Sequence, residues 1–516
     1  MTQELIDSAL PDDNIVRHAK INNLAYFKDR GINPYPATFK PTAKAIDLAE
    51  KYAGLADGEV TEDSVTVAGR ITAYRNSGMF IDLTDVSGKI QVFCHKQDLD
   101  AQALADIAHM DLGDIIGVTG YVRRTPRSEL TINAKQVVLL SKSLQPMPDK
   151  HHGLQDIEQR YRQRYADMIA NEDVKETFRK RSRIITAIRR LLDGKGFLEV
   201  ETPILHVIPS GATARPFKTH HNALDMELFL RIAPELYLKR LIVGGLADGV
   251  YEINRNFRNE GTSIKHNPEF TMMELYMTFA DFNDVMDVTE EIISQACLAA
   301  NGSMKVMFGD KEIDFTPPWP RKRMVDLIKE QCGVDLMAVK TDEEAQKIAK
   351  EHKLPVQKFM RWGEVVELFF GEKVEPTITQ PIHVTGHPKD TSPLAKSDPK
   401  EPRLTERFES FCNQWEIGNG FSELNDPIDQ YQRFLEQVKN REAGNDEAPP
   451  MDEDFVRALE FGMPPTGGLG IGIDRLVMLL TGSPSIRDVI AFPTMRHLSA
   501  VAKDETAEDE KKKVKA

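Results

Sequence analysis

The chain has 516 residues, 41% hydrophobic and 28% charged, which suits roughly three domains, or two if one is large, and excludes wholesale disorder. With 66 Lys and Arg against 80 Asp and Glu, the net charge of −14 disfavours generic binding to a phosphate backbone. It leaves room for local basic surfaces such as RYRQR at 160–164 and RKRSR at 179–183.

Apolar runs such as Leu476 to Leu480 fall far short of the ~20 residues that span a bilayer, so no membrane association is expected. The opening MTQELIDSALPDD lacks a basic region followed by an apolar run, so no secretory signal is expected either. Cys94, Cys297, Cys332 and Cys412 form no CxxC pair. They argue against a disulfide framework or zinc site and for a reducing, cytoplasmic setting.

Residues 1–60 read as a polar, helical extension, within which NIVRHAKINNLAYFKDRGINPYP ends in Gly31 and two prolines. From 61 to 145 the period shifts to alternation. VTVAGRITAYR, MFIDLTD, KIQVFCH, DIIGVTGYVRR and ELTINAKQVVLL are separated by NSG, VSGK and TPRS turns. A helical piece, Gln97 to Met110, follows the third strand. Five strands with a helix after the third predict an OB-fold barrel of the kind that binds oligonucleotides.

The Arg-rich stretch 146–170 reads as a linker. A helix is predicted from Asn171 to Asp193, with Asn171 as cap, Phe178, Ile185, Ile188 and Leu192 on one face, and Gly194 and Gly196 ending it. From 171 to 500 strands and helices mix without a βαβ repeat, which predicts an α+β domain built on an antiparallel sheet. Residues 322–376 read as a helical insertion, 387–402 as a proline-rich loop, and 501–516 as a disordered tail.

Three segments invite chemistry. GGLGIGIDR at 467–475 matches neither the dinucleotide fingerprint nor the P-loop and reads equally as a buried glycine strand entering an amphipathic helix. Yet Arg475 in the first helical turn opposes the helix dipole, so it should serve something outside the helix. Residues 251–276 alternate like a hairpin around NEGTSIKHNPE and carry Arg255, Arg258, Glu260, Lys265, His266, Glu269, Phe270 and Glu274. A mixed-sign sheet face suits a zwitterion beside a polyphosphate, although a solvated edge hairpin is the plainer reading. In RFESFCNQWEIGNGFSELND at 407–426, glycines favour strand over helix. Carboxylates at Glu409 and Glu416 would then suit a magnesium ion shared with nucleotide phosphates, or simply a solvated face.

Taken together, these segments resemble the three signature motifs of class II aminoacyl-tRNA synthetases, and specifically the bacterial-type lysyl-tRNA synthetases. GFLEVETPIL at 196–205 resembles motif 1, FRNEG at 257–261 through ELY at 274–276 motif 2, and GLGIGIDR at 468–475 motif 3. APELYLKRL, HNPEFTMMELY, EIGNGFSELND and the SPLAK loop follow the family order. The resemblance implies ATP-dependent activation of L-lysine to lysyl-adenylate and transfer to the 3′-terminal adenosine of tRNA(Lys), by a homodimer using Mg²⁺.

Residue by residue, it implies that Arg258 holds the α-phosphate and the lysine carboxylate, that Glu260 contacts adenine, and that Phe270 and Arg475 sandwich its ring. Lys265, His266 and Asn267 would meet the terminal phosphates, and Glu409 and Glu416 the metal. Gly211 and Glu274 would receive the α-ammonium, with Glu235, Tyr276 and Glu423 around the ε-ammonium and Asn419 and Phe421 lining the pocket. In the barrel, Phe80 and Glu129 would read the anticodon. Ser210 stands where the family usually shows a glycine. An aspartyl or asparaginyl enzyme shares this architecture but should offer cations to its substrate. A lysine-attaching paralogue would lack the barrel, and a non-catalytic RNA-binding module should have lost Arg258, Glu416 or Arg475.

Overall fold

The computed structural model describes residues 14–148, 154–212, 214–357, 360–442 and 450–496. The expected tail at 501–516 lies outside these. The chain divides into two compact units, Met1–Leu154 and Gln155–Ala516.

The first unit opens with helices α1 (Ile15–Asp29) and α2 (Ala45–Lys51), then strands β1 (Val60–Arg75), β2 (Phe80–Thr84) and β3 (Lys89–Phe93). Helix α3 (Ala101–Ala108) precedes β4 (Ile115–Arg124) and β5 (Leu130–Ser141). The strands close into a barrel in the order β1-β2-β3-β5-β4. Alternation does this directly: Val65, Val67, Ile71 and Ala73 point inward along β1 and meet Ile81, Val92, Val118 and Ile132. The NSG turn takes positive φ at Asn76, Ser77 and Gly78, which folds β1 onto β2. Asp100 caps α3 by accepting from the Ala103 amide at 2.7 Å. The buried Lys20 of α1 donates to the carbonyls of Leu112 and Gln145, which ties the extension to the barrel.

In the second unit, the stretch expected as a linker instead folds from residue 157 onward. Helices α4 (Ile157–Arg162) and α5 (Arg164–Ala170) occupy it. Arg164 is buried, pairs with Asp167 at 2.8 Å and donates to the carbonyls of Arg487 and Ala491. An arginine density that reads as solvated in sequence is here the capture of C-terminal backbone by one guanidinium.

Helix α6 (Glu172–Gly194) follows. Asn171 occupies its N-cap position, but its amide donates to Asp167 instead of capping. The buried face is Val174, Ile184, Ile188 and Leu192, one residue round from part of the predicted stripe. Short strands β6 (Leu198–Glu199), β7 (Leu205–His206), β8 (Lys218–His221) and β9 (Met226–Leu230) lead to α7 (Glu235–Val243). The hairpin β10 (Gly249–Phe257) and β11 (Glu269–Thr278) precedes α8 (Phe282–Asn301).

After the pair β12 (Lys305–Phe308) and β13 (Lys311–Asp314) come β14 (Arg321–Arg323) and helices α9 (Met324–Cys332), α10 (Asp342–Glu351) and α11 (Trp362–Phe369). These helices pack around Ile328, Val365 and Phe369 in a cluster that also takes in Val384 and Phe411 of the neighbouring strands. A π-helical turn, Phe370–Val374, continues α11. Strands β15 (Ile382–Thr385), β16 (Arg407–Cys412) and β17 (Trp415–Ser422), helices α12 (Pro427–Glu442) and α13 (Glu453–Glu460), strand β18 (Thr466–Gly472) and helices α14 (Ile473–Thr481) and α15 (Ile486–Val489) complete the unit.

The main sheet runs β14-β15-β16-β17-β18-β11-β10-β6 and is antiparallel except for its two outer pairs. One face packs Met273, Leu275, Phe408, Ile417, Leu469 and Ile471 against α8 and α14. The other faces a cavity. The fold is α+β, as the mixed order of elements predicted.

Replacing Arg164 with alanine should strand the buried Asp167 carboxylate. The expected loss is about 3 kcal/mol for the unfolding transition of the second unit, measured by denaturant titration of the full chain.

Candidate active site

The cavity holds about 1060 Å³, and strands β11, β16, β17 and β18 form its floor. Register explains how. On β11, Glu274 pairs with Gly470 and Tyr276 with Gly468. On β17, Asn419 pairs with Gly470 and Phe421 with Gly468, and Glu409 of β16 pairs with Asn419. Two rows therefore cross one face: Glu409, Asn419, Gly470, Glu274, and Arg407, Phe421, Gly468, Tyr276. The third position of each row is a glycine. A Cβ at Gly468 would overlap Glu423 Oε1 and come within 2.7 Å of Tyr276 Cε1. The glycine run is thus neither a phosphate loop nor plain core; it keeps the centre of the floor free of side chains.

Glu416 reaches this face through a bulge. The register shifts between Ser410 and Phe411, so that Phe411 pairs with Glu416. Strict alternation from Asn419 would have turned Glu416 away. The bulge sends Ile417 into the core and Glu416 towards Glu409.

The polar end of the cavity gathers the nucleotide-type groups. Arg258 Cζ stacks 5.1 Å from the Phe270 ring centroid, and its buried Nε has no protein acceptor. Burial lowers the Arg258 guanidinium from its ordinary value, and Glu416 and Glu260 oppose that shift. Arg475 leaves its helix, as its position against the dipole suggested, and donates to the Glu416 carbonyl at 3.0 Å and carboxylate at 3.2 Å. Its neighbour Asp474 turns the other way, accepting from the Thr271 amide and from Arg181 at 2.6 Å each. His266 is pushed below its ordinary range by burial and by Arg475, Lys265 and Arg258. The neutral ring accepts from Arg475 at 3.0 Å and shares a 2.8 Å bond with Ser263.

Lys265 lies 5.8 Å from the Trp415 ring and is also lowered by burial. Glu260 is exposed at the cavity rim. The Asn267 amide donates to the Glu269 carbonyl at 2.6 Å, so that side chain shapes the loop. Glu409 accepts from Arg407 at 2.6 Å, and Arg407 also donates to Asn419 at 3.2 Å.

The other end is a carboxylate pocket. Glu235, Glu274 and Glu423 are all buried beside Tyr276, which donates to Glu274 at 3.3 Å. Burial and the nearby Glu235 push Glu274 up to about 8, with Arg231 opposing. Glu423 Oε2 pairs with Lys239 behind the wall, while Glu423 Oε1 receives no hydrogen bond from the protein. A buried acceptor left open in this way suits an incoming cation. Gly211, at φ 88°, sits 3.1 Å by its Cβ direction from Glu235 Cβ, with the buried Ser210 beside it.

Every site residue expected in the second unit lines this one cavity: Gly211, Glu235, Arg258, Glu260, Lys265, His266, Asn267, Phe270, Glu274, Tyr276, Glu409, Glu416, Asn419, Phe421, Glu423 and Arg475. In the barrel, Phe80 pairs across β2 and β3 with Phe93, their rings 4.9 Å apart. Phe93 also stacks on His95 and lies under Arg123. Glu129 is exposed 3.9 Å from Lys89.

Sequence reading passed over Arg407, Glu367 and Glu375 at the cavity, Lys239 behind it, and the Phe93–His95–Arg123 platform. Only Lys239 carried a local signal, its i,i+4 spacing from Glu235 on a helix.

A family model described as tRNA synthetases class II (D, K and N) matches residues 156–496, and one for the OB-fold nucleic acid binding domain matches 65–140. The chain belongs to the class II tRNA synthetases, and within them to the lysine–tRNA ligase family. Lysine–tRNA ligase of Sinorhizobium medicae is 53% identical over 97% of this chain and 100% of the relative. That of Rhizobium meliloti is 56% identical over 90% and 93%, and that of Oceanobacillus iheyensis 53% over 92% and 97%.

Replacing Gly468 with alanine should push Glu423 and Tyr276 out of place and raise the amino-acid KM by ~10-fold or more, about 1.4 kcal/mol, in steady-state aminoacylation.

Proposed function

We propose that the chain activates L-lysine with ATP and transfers the lysyl group to the terminal adenosine of tRNA(Lys). The observation that carries this reading is the buried trio Glu235, Glu274 and Glu423 with Tyr276, open towards a cavity whose other end holds Arg258, Lys265 and Arg475. An aspartate substrate would need a free cation in the pocket. The cation there, Lys239, is fully buried and committed to Glu235 and Glu423.

In this reading Glu274 and Gly211 receive the α-ammonium, and Glu423, Glu235 and Tyr276 the ε-ammonium. Asn419 and Phe421 form the wall between them. Arg258, whose Nε has no protein acceptor, meets the lysine carboxylate and the ATP α-phosphate together. A carboxylate oxygen then attacks the α-phosphorus as the bond to pyrophosphate breaks. The residues align and neutralise, and no side chain need move a proton. Phe270 and Arg475 would enclose adenine, Glu260 its edge, and Lys265, His266 and Asn267 the loop over the terminal phosphates.

Glu409 and Glu416, brought to one face by the bulge, are a hard-oxygen pair fit for Mg²⁺. Two carboxylates would leave the remainder of such an ion's shell to phosphate and water. The ion would offset phosphate charge.

The tRNA would meet the barrel through Phe80 and its aromatic neighbours, with Glu129 beside them. Leu198, Ile204, Leu205 and Val207 expose apolar surface along the motif 1 segment, which supports a homodimer. Among the described residues no helix is long and apolar enough to cross a membrane. In this reading the protein works in the cytoplasm, where lysine, ATP and tRNA would meet it.

ATP–pyrophosphate exchange with magnesium and each amino acid in turn tests the assignment. Exchange with lysine alone is expected, whereas exchange with aspartate or asparagine would overturn the pocket reading. Phe80→Ala should raise the tRNA KM by ~10-fold in aminoacylation, the loss of about one stacked base.

A further inference from the structure

Lys239 lies one helical turn after Glu235 on α7, fully buried and behind the cavity wall. Its Nζ donates to Glu235 Oε1 at 2.6 Å and pairs with Glu423. Phe421, Tyr276 and Phe455 surround it, with ring centroids 5.4, 5.9 and 5.9 Å away. A fully buried ammonium is costly to desolvate, and filling the space would need no more than a methionine. Packing therefore does not explain it.

Charge does. Once the substrate's ammonium groups hold all three carboxylates ionised, three carboxylates and one ammonium sum to two negative charges, which lysine's two ammonium groups balance. Arg258 takes the substrate carboxylate separately.

We propose that Lys239 is a positioning and specificity residue: it holds Glu235 and Glu423 ionised and aimed at the cavity, and sets the pocket's charge to that of a two-ammonium amino acid. This deepens the lysine reading and rests on it. The groups facing Lys239 support it. Burial pushes Glu423 up, Lys239 opposes the shift, and Glu235 and Glu274 add to it. Burial alone would lower Lys239, but Glu235 and Glu423 outweigh it and keep the ammonium charged. Tyr276 is raised by burial and by the carboxylates, so it stays a neutral donor. Arg231, a cation that opposes the rise of Glu274, is bound to Glu252 at 2.7 Å.

Without Lys239, Glu235 and Glu423 would face each other across a buried space with no counter-ion. One would take up a proton, and the pocket would fit its substrate only at higher pH. The sign follows from the carboxylates. A pocket that must deprotonate before it binds loses affinity as pH falls, so the acid limb of kcat/KM for lysine moves upward.

The test compares Lys239→Met, Lys239→Gln and Lys239→Arg with the wild type in lysine-dependent ATP–pyrophosphate exchange from pH 6 to 9. For Met and Gln the lysine KM at pH 7 should rise by ~30-fold, with kcat at saturating lysine within about threefold, because the change is in ground-state binding. That KM should recover towards pH 9, and Lys239→Arg should restore part of it at pH 7. A uniform loss at every pH, equal damage in the Arg and Met variants, or variants that fail to fold would make Lys239 a packing residue and overturn the proposal. Wild-type exchange with lysine, run alongside, tests the underlying reading separately.

Discussion

The second unit depends on a sheet that must do opposite things on its two faces. One face seals a core of Met273, Leu275, Leu469 and Ile471 against helices, and the other carries Arg407, Glu409, Glu416, Glu274 and Tyr276 around a strand of glycines. Such a sheet holds its register because a slip by one residue would bury the charges and expose the core. The central strand makes the arrangement workable. Its apolar residues alternate with glycines, so it contributes fully to the core and nothing but backbone to the cavity floor. Neighbouring strands can then raise Glu274, Tyr276, Asn419 and Phe421 as walls on either side of a clear channel.

The electrostatics divide along that channel. Near Arg258, Lys265 and Arg475 the protein supplies cations held by few internal partners, suited to phosphate oxygens. Near Glu235, Glu274 and Glu423 it supplies carboxylates, one of them raised to about 8 because burial outweighs its compensation. Each cluster alone would be unstable against its own repulsion. Placed at opposite ends of one cavity, they fit a ligand pair that is anionic at one end and cationic at the other. Arg258, within reach of both, is where the two ligands would meet.

Much of this was legible in the sequence because the signals were periodic. The barrel strands, the hairpin at 251–276 and the strand-to-helix step at 472–473 follow from alternation and turn residues, and the hairpin's mixed charges marked one face of a sheet. What escaped were features set by tertiary partners. Arg164 in an Arg-rich stretch looked solvated because nothing local shows that the carbonyls of Arg487 and Ala491 would come to it. Asn171 looked like a helix cap until Asp167 claimed its amide. Glu367 and Glu375 belong to a helical insertion whose link to the cavity is purely three-dimensional.

The bulge between β16 and β17 carries a consequence for how this chain tolerates changes in length. Because one extra residue places Glu416 beside Glu409 and Ile417 in the core, the segment from Arg407 to Ser422 is a counted interval, not a spaced one. Its turn at Asn413 and Gln414, both in left-handed conformation, is the natural place for a hairpin to accept an insertion. Were the bulge lost and strict alternation restored over the same residues, a cavity-facing carboxylate would be exchanged for isoleucine. Drift in this family would therefore be expected to alter side chains in this hairpin long before it altered their number.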